Sequence, residues 1–291
     1  MTEQLLLLND ESIVEDEEME HETNLSVRFT DEYRACEGGR PTAIVRRFGK
    51  VGALVDFKWL YDGEDHGGKT RANSPFDERT VLFGYDRGRS VWEALYGDDK
   101  QRLDEALLTD LAARCDLAAF LPPGKVKAGD TWEVEAVALV QLVKPAGELH
   151  MRTPGDDEGA PEKETERWRQ YRQSFEGELT VAFTGTREEL AVVVAVLGMV
   201  GQGKGAAQLD FNDGDGDPVE ELNELGLKLE GEILWDVARG RPLSYRVEGD
   251  FRHTYRAETS WVYEDGEPGN QLLTQLFEGP ARYGATWTFL D

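Results

Sequence analysis

The chain has 291 residues and a formal net charge of -26, from 58 acidic and 32 basic side chains. This charge repels phosphate backbones and anionic membrane surfaces, which disfavours nucleic acid as a partner. Hydrophobic residues make up 40% of the chain, enough for a packed core, so global disorder is excluded. Two cysteines exclude a disulfide-dense scaffold, and whether Cys36 and Cys115 pair or stay free is left open.

The N-terminal segment 1–23 is strongly acidic. It has no Lys or Arg before Arg28, the reverse of the basic leader that a signal peptide needs. The chain as written is therefore expected to be cytoplasmic, or extracytoplasmic if a leader peptide has been removed. The longest apolar run, 190–201, is too short to span a bilayer, so no transmembrane segment is expected.

Strand patterns dominate the first half of the chain. Apolar and polar residues alternate over 24–29, the period of a half-buried strand. Residues 41–59 continue this pattern, with glycines that predict either two strands or a bulge. The Gly-rich stretch 61–75 predicts a surface loop, and 79–96 predicts a hairpin that turns at Asp86-Arg87-Gly88-Arg89.

Three helices are expected. In the first, over 99–119, apolar residues recur at every fourth position after Asp98-Asp99, which offers a cap, and Pro122-Pro123 follows as a stop. That stripe consists of Leu103, Leu107, Leu111 and Cys115. A second helix is predicted over 162–175, with a short one at 272–277.

Strand patterns return in the second half, including a buried strand at 190–200 and clean alternation at Leu225, Leu227 and Leu229. Residues 232–245 resemble the 79–96 hairpin, with an aromatic residue, Asp and then Arg-Gly-Arg. This similarity indicates either two related halves or turn chemistry alone.

These patterns predict a β-rich α+β fold, a curved antiparallel sheet system with its principal helix near 99–119. The predicted organisation is an acidic segment at 1–23, a β-rich lobe with the helix at 24–152, a flexible link at 153–161 and a second β-rich lobe at 162–291.

One glycine-rich segment, 198–205, approaches two phosphate-binding motifs. Gly198, Gly203 and Lys204 fit GxxxxGK, but Gly205 stands where Ser or Thr would hold magnesium. Both motifs also require a helix immediately afterwards, because its N-terminal amides bind the phosphate. A short strand and an acidic loop are expected there instead, so a hairpin turn with a solvated lysine is the favoured interpretation.

The acidic loop 210–217 suggests hard-cation chemistry but fits no EF-hand register. Asp213, Asp215 and Asp217 are weak calcium candidates, and a flexible loop is the default, so no cofactor is expected otherwise. The four histidines share no metal-ligand spacing, and no catalytic motif is present.

Aromatic residues of the strand pattern 241–263 are the candidate ligand-binding residues. If this segment alternates, Tyr245, Phe251 and Tyr255 line the inside of a curved sheet, where an apolar ligand would fit. Ordinary core packing is the simpler interpretation of the same residues.

The segment 121–132, LPPGKVKAGDTW, resembles the "LP…V…GDTW" segment of uncharacterised secreted or lipoprotein-like bacterial proteins of the planctomycete type. Ser74-Pro75 followed by TVLF, and GEILWD from Gly231, are similar to other parts of such proteins. The resemblance implies a β-rich extracytoplasmic module and no catalytic residue. Physically, Gly129-Asp130 predicts a tight turn, after which Trp132 anchors a strand in the core.

The expected function is therefore non-enzymatic. The protein is predicted to bind an apolar or lipid-like ligand or to be a structural envelope component. One alternative is a phosphate- or nucleotide-binding enzyme that uses 198–205, and another is an acidic module whose 1–23 tail binds a protein partner.

Overall fold

The computed structural model describes residues 4–8, 11–15, 19–37, 40–61, 64–97, 104–113, 117–152, 160–189, 192–212, 217–262 and 268–286. In chain order, the elements are β1 (Gln4–Leu8), β2 (Glu11–Glu15), β3 (Met19–Glu37), β4 (Arg40–Tyr61), β5 (Glu64–Asn73), β6 (Thr80–Asp86), β7 (Val91–Tyr96), β8 (Thr131–Val134), α1 (Ala138–Val143), α2 (Ala160–Ser174), β9 (Glu176–Glu189), β10 (Val192–Asn212), β11 (Pro218–Asp236), β12 (Arg241–Val262) and β13 (Pro268–Thr286). Strands dominate and all their pairings are antiparallel, which confirms the β-rich α+β prediction.

The chain divides into two compact units. The first contains Met1–Asp16, Cys115–Pro145 and Arg167–Asp291, and the second contains Glu17–Arg114 and Ala146–Glu166. Residues 115–145, predicted to lie in the N-terminal lobe, thus belong with the C-terminal strands, because β8 pairs with β9. Of the predicted link 153–161, residues 153–159 lie outside the described residues, and 160–161 begin α2.

The first unit contains a sheet in the order β2-β1-β13-β12-β11-β10-β9-β8. Alternation along its long strands directs one set of side chains to a core and the other outward. In β11 every second residue from Val219 to Leu229 is buried, and the residues between them are exposed or half-buried. The predicted alternation of Leu225, Leu227 and Leu229 is therefore confirmed as the core face.

Short helices cover this core face. The Tyr245 hydroxyl donates a 2.6 Å hydrogen bond to the Leu142 carbonyl near the end of α1, one of the carbonyls that a helix end leaves without an intrahelical partner. The Lys144 ammonium lies 3.9 Å from the centre of the Trp168 ring of α2. These contacts join α1 both to the sheet and to α2.

Helix α2 also hydrogen-bonds to the backbone of β10 beyond Lys204, where the pairing of β10 with β9 stops. The Gln170 amide accepts from the Gln208 N–H at 2.7 Å and donates to the Gln208 carbonyl at 2.9 Å. One turn later, the Ser174 hydroxyl accepts from the Ala206 N–H at 2.8 Å. Two side chains at i and i+4 thus satisfy strand groups that would otherwise form an open edge.

The GDTW turn has the predicted structure. Gly129 adopts a φ of 95°, a conformation that favours glycine, and the Asp130 carboxylate accepts from the Lys127 N–H at 2.8 Å. Trp132 is the second residue of β8, packs against the core and donates its indole N–H to the Phe120 carbonyl at 3.2 Å. The segment therefore starts a strand and anchors it.

The second unit contains the sheet order β3-β4-β6-β7, with β5 paired to β4. The hairpin predicted at 79–96 is confirmed by the pairing of β6 with β7. The glycine-interrupted stretch 41–59 is one strand, and its pairing with β3 shifts register between Val27 and Phe29. Val27 pairs with Val51, but Phe29, two residues later, pairs with Phe48, three residues away from Val51. β4 therefore has one extra residue here, which confirms the bulge and not the two separate strands.

Outside the segment 198–205, three secondary-structure predictions are wrong. The principal helix near 99–119 is not formed in its described part, which contains single 3₁₀ turns at Glu105–Leu108 and Leu117–Phe120. The apolar residues at every fourth position do not form one helix, because Asp110 adopts a φ of 65° and Leu111 pairs with Gly147. Leu108 and Leu111 enter the core of the second unit, whereas Leu117 enters that of the first. Residues 98–103 and 114–116 lie outside the described residues.

The other two errors concern strands. The predicted loop 61–75 contains β5, because pairing with β4 satisfies a backbone whose Gly-rich composition suggested a loop. The predicted helix 272–277 lies in β13, where β12 pairs with it on one side and β1 on the other. Tertiary pairing overrides local preference in both segments.

The two hairpins that look alike in sequence share a turn. Asp86 accepts from the Gly88 and Arg89 N–H groups and pairs with the Arg89 guanidinium. Asp236 accepts from the Arg239 N–H at 3.0 Å and pairs with the Arg239 guanidinium at 3.1 Å. The shared unit is therefore Asp followed by Arg at the third position, which local turn chemistry explains without duplication.

A buried ion pair lies at the centre of the second unit. Arg46 is 1% exposed and is the register partner of Asp31. Its Nε and Nη2 each donate to the Asp31 carboxylate at 2.7 Å, and the carbonyls of Ala112 and Ala113 accept the other bonds. The guanidinium carbon also lies 4.0 Å from the centre of the Phe29 ring. The charge is thus compensated by a carboxylate, two carbonyls and an aromatic face.

Arg46→Met is expected to lower the free energy of unfolding by about 3–5 kcal/mol, because it leaves the Asp31 carboxylate without its partner. Urea denaturation followed by circular dichroism measures the change. Arg47→Met is the matched control, since Arg47 is exposed and its pair with Glu32 is worth about 0–1 kcal/mol. Equal losses for the two variants would contradict a central role for Arg46.

The turn carboxylate Asp86 generates a pH prediction. Its bonds from the Arg89 guanidinium and the Arg89 and Gly88 N–H groups hold its pKa below the ordinary value. The stabilisation is therefore present above an unfolded-state pKa of about 3.9 and is lost as pH falls through the folded-state pKa. Asp86→Asn should destabilise the protein at pH ~7 and have progressively less effect as pH falls through the folded-state pKa, when urea midpoints are compared. The exposed Asp210→Asn serves as control, and a constant Asp86→Asn deficit would contradict the prediction.

Candidate functional site

The glycine-rich segment 198–205 is neither a phosphate loop nor a hairpin turn. It lies inside β10, where Gly203 pairs with Gly177 on one side and Leu227 on the other. Its backbone is paired with the two neighbouring strands. The strand continues to Asn212, where a phosphate-binding loop would require a helix. The prediction of a hairpin turn is wrong for the same reason.

The glycines of this segment serve helix packing instead. A Cβ at Gly201 would lie 2.8 Å from Leu179 and 3.1 Å from Leu139 of α1. A Cβ at Gly205 would lie 3.0 Å from the Tyr171 carbonyl of α2. Alternate glycines on the core face therefore let the helices approach β10 closely.

The predicted aromatic residues also lie on the core face. Tyr245 is 2% exposed and its hydroxyl is bonded to α1, so it packs as a core residue. Phe251 packs against the same core, and its backbone lines a groove on the opposite face. Tyr255 is half-buried, and burial together with the Glu221 carboxylate raises the pKa of its phenol.

The calcium candidates fall mostly outside the structure. Asp213 and Asp215 lie outside the described residues, and Asp217 is half-buried immediately before β11. Among the residues that the structure describes, no group of three His, Cys, Asp or Glu side chains is arranged to hold a metal. Cys36 is exposed and Cys115 is outside the described residues, so their pairing stays open.

A buried polar network interrupts the apolar face of β11. Arg167 of α2 donates from Nε and Nη2 to Oε1 of Glu221, at 3.2 and 2.6 Å. The Asn223 amide donates to the same oxygen, and its own oxygen lies 3.1 Å from Nε2 of His253. Because an amide oxygen only accepts, Nε2 of His253 carries the proton in this arrangement.

This network connects α2, β11 and β12 through side chains that are almost inaccessible. Glu221 is 3% exposed and Asn223 is 0% exposed. Sequence reasoning missed both, although the signal is visible: two polar residues occupy core positions of a strictly alternating strand, and such residues require partners. Glu221 contacts Arg167 of α2, and Asn223 links Glu221 to His253 of β12, which assigns the network to positioning that helix on the sheet.

The outward face of β9–β12 is the candidate binding surface. Register partners across the four strands form outward rows about two residues apart. The first two rows are Glu176–Lys204–Gly226–Arg252 and Glu178–Gln202–Lys228–Asp250. The next two rows are Thr180–Val200–Glu230–Glu248 and Ala182–Gly198–Glu232–Arg246.

Two open grooves follow these rows. The first two rows line a groove of about 1010 Å³, and the other two line a second groove of about 540 Å³. In the first, Gly226 leaves a gap between Lys204 and Arg252, because it lacks a side chain in the outward row. The backbone of Leu227 and Phe251 forms part of the floor, since alternation directs their side chains to the core.

The two grooves differ in electrostatics. In the second, Glu232 is held by the Arg187 guanidinium at 2.9 Å, and Glu248 contacts Arg246 and Arg282 at 3.7 and 3.6 Å. In the first, Lys204 faces Glu176 and Lys228 faces Asp250 across the strands, yet within the described part of the chain neither lysine forms an ion pair. The first groove thus presents charges of both signs with unfilled bonding capacity.

Comparisons with protein-family models, curated proteins and solved structures give no significant match to this chain. In the described ranges, the helices are too short or too polar to cross a membrane.

Glu221→Ala is expected to lower the free energy of unfolding by about 3–5 kcal/mol, because Arg167 loses its counter-charge and the buried Asn223 amide loses its acceptor. Chemical denaturation measures this loss. The neighbouring Glu220→Ala, on the exposed face of the same strand, should change stability by less than about 0.5 kcal/mol. Similar values for the two variants would show that the network does not hold α2.

Proposed function

We propose that this protein is a non-catalytic binding protein for an apolar, lipid-like ligand, which lies along the outward face of β9–β12. The observation that carries the proposal is the pair of adjacent grooves on the outward face of one sheet, at about 1010 and 540 Å³. The larger is at the upper end of the range typical of small-molecule sites. The site proposed from the sequence, behind Tyr245 and Phe251, is replaced by one on the opposite face.

The surface of the grooves supports an apolar ligand body. Val200 is 60% exposed and contributes an apolar side chain to the second groove. Gly198, Ala182 and Thr180 surround it on neighbouring positions, so no long side chain separates it from β9. The stems of Lys204 and Lys228 add methylene surface while their charged ends stay in water.

The other functions suggested by the sequence have fewer observations in their support. The resemblance to secreted bacterial proteins and the role of structural envelope component stay predictions, as does an interaction of the acidic 1–23 segment with a protein partner. Phosphate binding by a loop at 198–205 loses its structural premise, since those residues form the middle of a strand.

Val200→Glu tests the proposal. With the uncharged fluorescent probe N-phenylnaphthylamine, wild-type protein should bind saturably and the variant about tenfold more weakly, because a charge replaces roughly 1.5 kcal/mol of apolar contact. Fluorescence titration measures both dissociation constants.

Val193→Glu is the matched control, since Val193 lies on the same strand, is 59% exposed and is outside both grooves. This variant should bind the probe like wild type. Equal weakening by the two substitutions, or no saturable binding by the wild-type protein, would overturn the proposal.

A further inference from the structure

The charged side chains of the first groove are distributed unevenly over the four strands. Lys204 and Lys228 occupy the two central strands, diagonally about Gly226, and Arg252 completes the group on β12. Carboxylates lie to either side: Glu176 and Glu178 on β9, and Asp250 on β12. The lining therefore contains two lysines on the central strands, three carboxylates on the outer strands, and Arg252 beside Asp250 on β12.

This arrangement of charges determines which charged groups of a ligand can bind in the groove. An anionic group fits the gap at Gly226, where ammonium groups approach from two strands, but the chain's net charge of -26 repels a ligand with net negative charge. A purely cationic group would meet Lys204 and Lys228 in the same groove. A head group with both charges, neutral overall, escapes the long-range repulsion and pairs with both sets of side chains.

We propose that the groove at Gly226 is the head-group subsite for a zwitterionic, single-chain amphiphile. Its anionic group, of phosphate type, lies in the gap between Lys204, Lys228 and Arg252. Its ammonium group lies against the Glu176 or Asp250 carboxylate. This inference rests on the proposed function and specifies its ligand class.

The second groove provides the path for the chain. From Gly226 to the row of Val200 and Thr180 is four residues along the strands, about 13 Å at ~3.3 Å per residue. Of its three carboxylates, Glu230, Glu232 and Glu248, the last two are engaged by arginines, so this groove has less free charge than the first. The chain of the ligand would therefore run from the more charged groove to the less charged one.

Four probes with the same twelve-carbon chain test the proposal by native mass spectrometry and calorimetric titration below their micellar concentrations. They are dodecylphosphocholine, dodecyl phosphate, dodecyltrimethylammonium and dodecyl maltoside. Dodecylphosphocholine should bind one per chain and at least tenfold more tightly than the other three. Lys204→Gln with Lys228→Gln should remove most of that advantage and leave dodecyl maltoside unchanged, whereas the exposed Lys125→Gln should change nothing.

Gly226→Phe locates the subsite. A Cβ there lies no closer than 3.7 Å to its neighbours, so the ring fills the gap without displacing the backbone. Gly84→Phe is the control, because Gly84 also lies in a strand and a Cβ there has nothing within 4 Å. Gly226→Phe should abolish dodecylphosphocholine binding, and Gly84→Phe should preserve it.

The outcomes separate the two proposals. Equal binding of all four probes, weakened by Val200→Glu, would overturn the zwitterionic head group and keep the apolar site. Preference for dodecyl phosphate, or a phosphocholine advantage that survives the double lysine substitution, would also overturn it. No binding of any probe would overturn both proposals. A dimer that Gly226→Phe disperses would assign the groove to a second copy of the chain instead.

Discussion

The antiparallel register of β10, β11 and β12 is the constraint on which the first unit depends. Pairing continues from Val194 with Asp236 to Asn212 with Pro218, so alternation assigns every residue of these strands to one face. A slip of one residue would move Leu225, Leu227 and Leu229 to solvent and Lys204 into the core. The grooves, the network and the packing of the helices are all consequences of this one register.

The two faces of the sheet have different chemistry because they have different neighbours. On the core face, Gly201 and Gly205 admit the helices, and the network around Glu221 ties α2 to β11 and β12. On the outward face, the missing side chain of Gly226 leaves a gap in the row between Lys204 and Arg252. Glycine thus creates close packing on one face and an open site on the other, according to where its absent side chain would point.

The second unit achieves order differently. Its core surrounds a charge, since Arg46 is bound by Asp31, by two carbonyls and by aromatic rings. Removing one partner of such a pair is costly, whereas replacing both can be neutral. The pair joins β3 to β4 between the register shifts at Val27–Phe29 and Tyr33–Ala35. In Glu221 the first unit also contains a buried carboxylate held by an arginine, but that pair joins a helix to a sheet.

Local patterns in the sequence determined the strand-rich class, the hairpin at 79–96, the helix at 162–175 and the GDTW turn, because alternation, helical periodicity and Gly129-Asp130 act over a few residues. The tertiary structure alone decided that β5 and 272–277 are strands and that the stripe after Leu103 does not form a helix. β5 pairs with β4, and residues 272–277 pair with β12. The apolar residues after Leu103 pack into two separate cores. The candidate site depends on pairing in the same way, since Lys204, Gly226 and Arg252 are far apart in sequence and meet only through register.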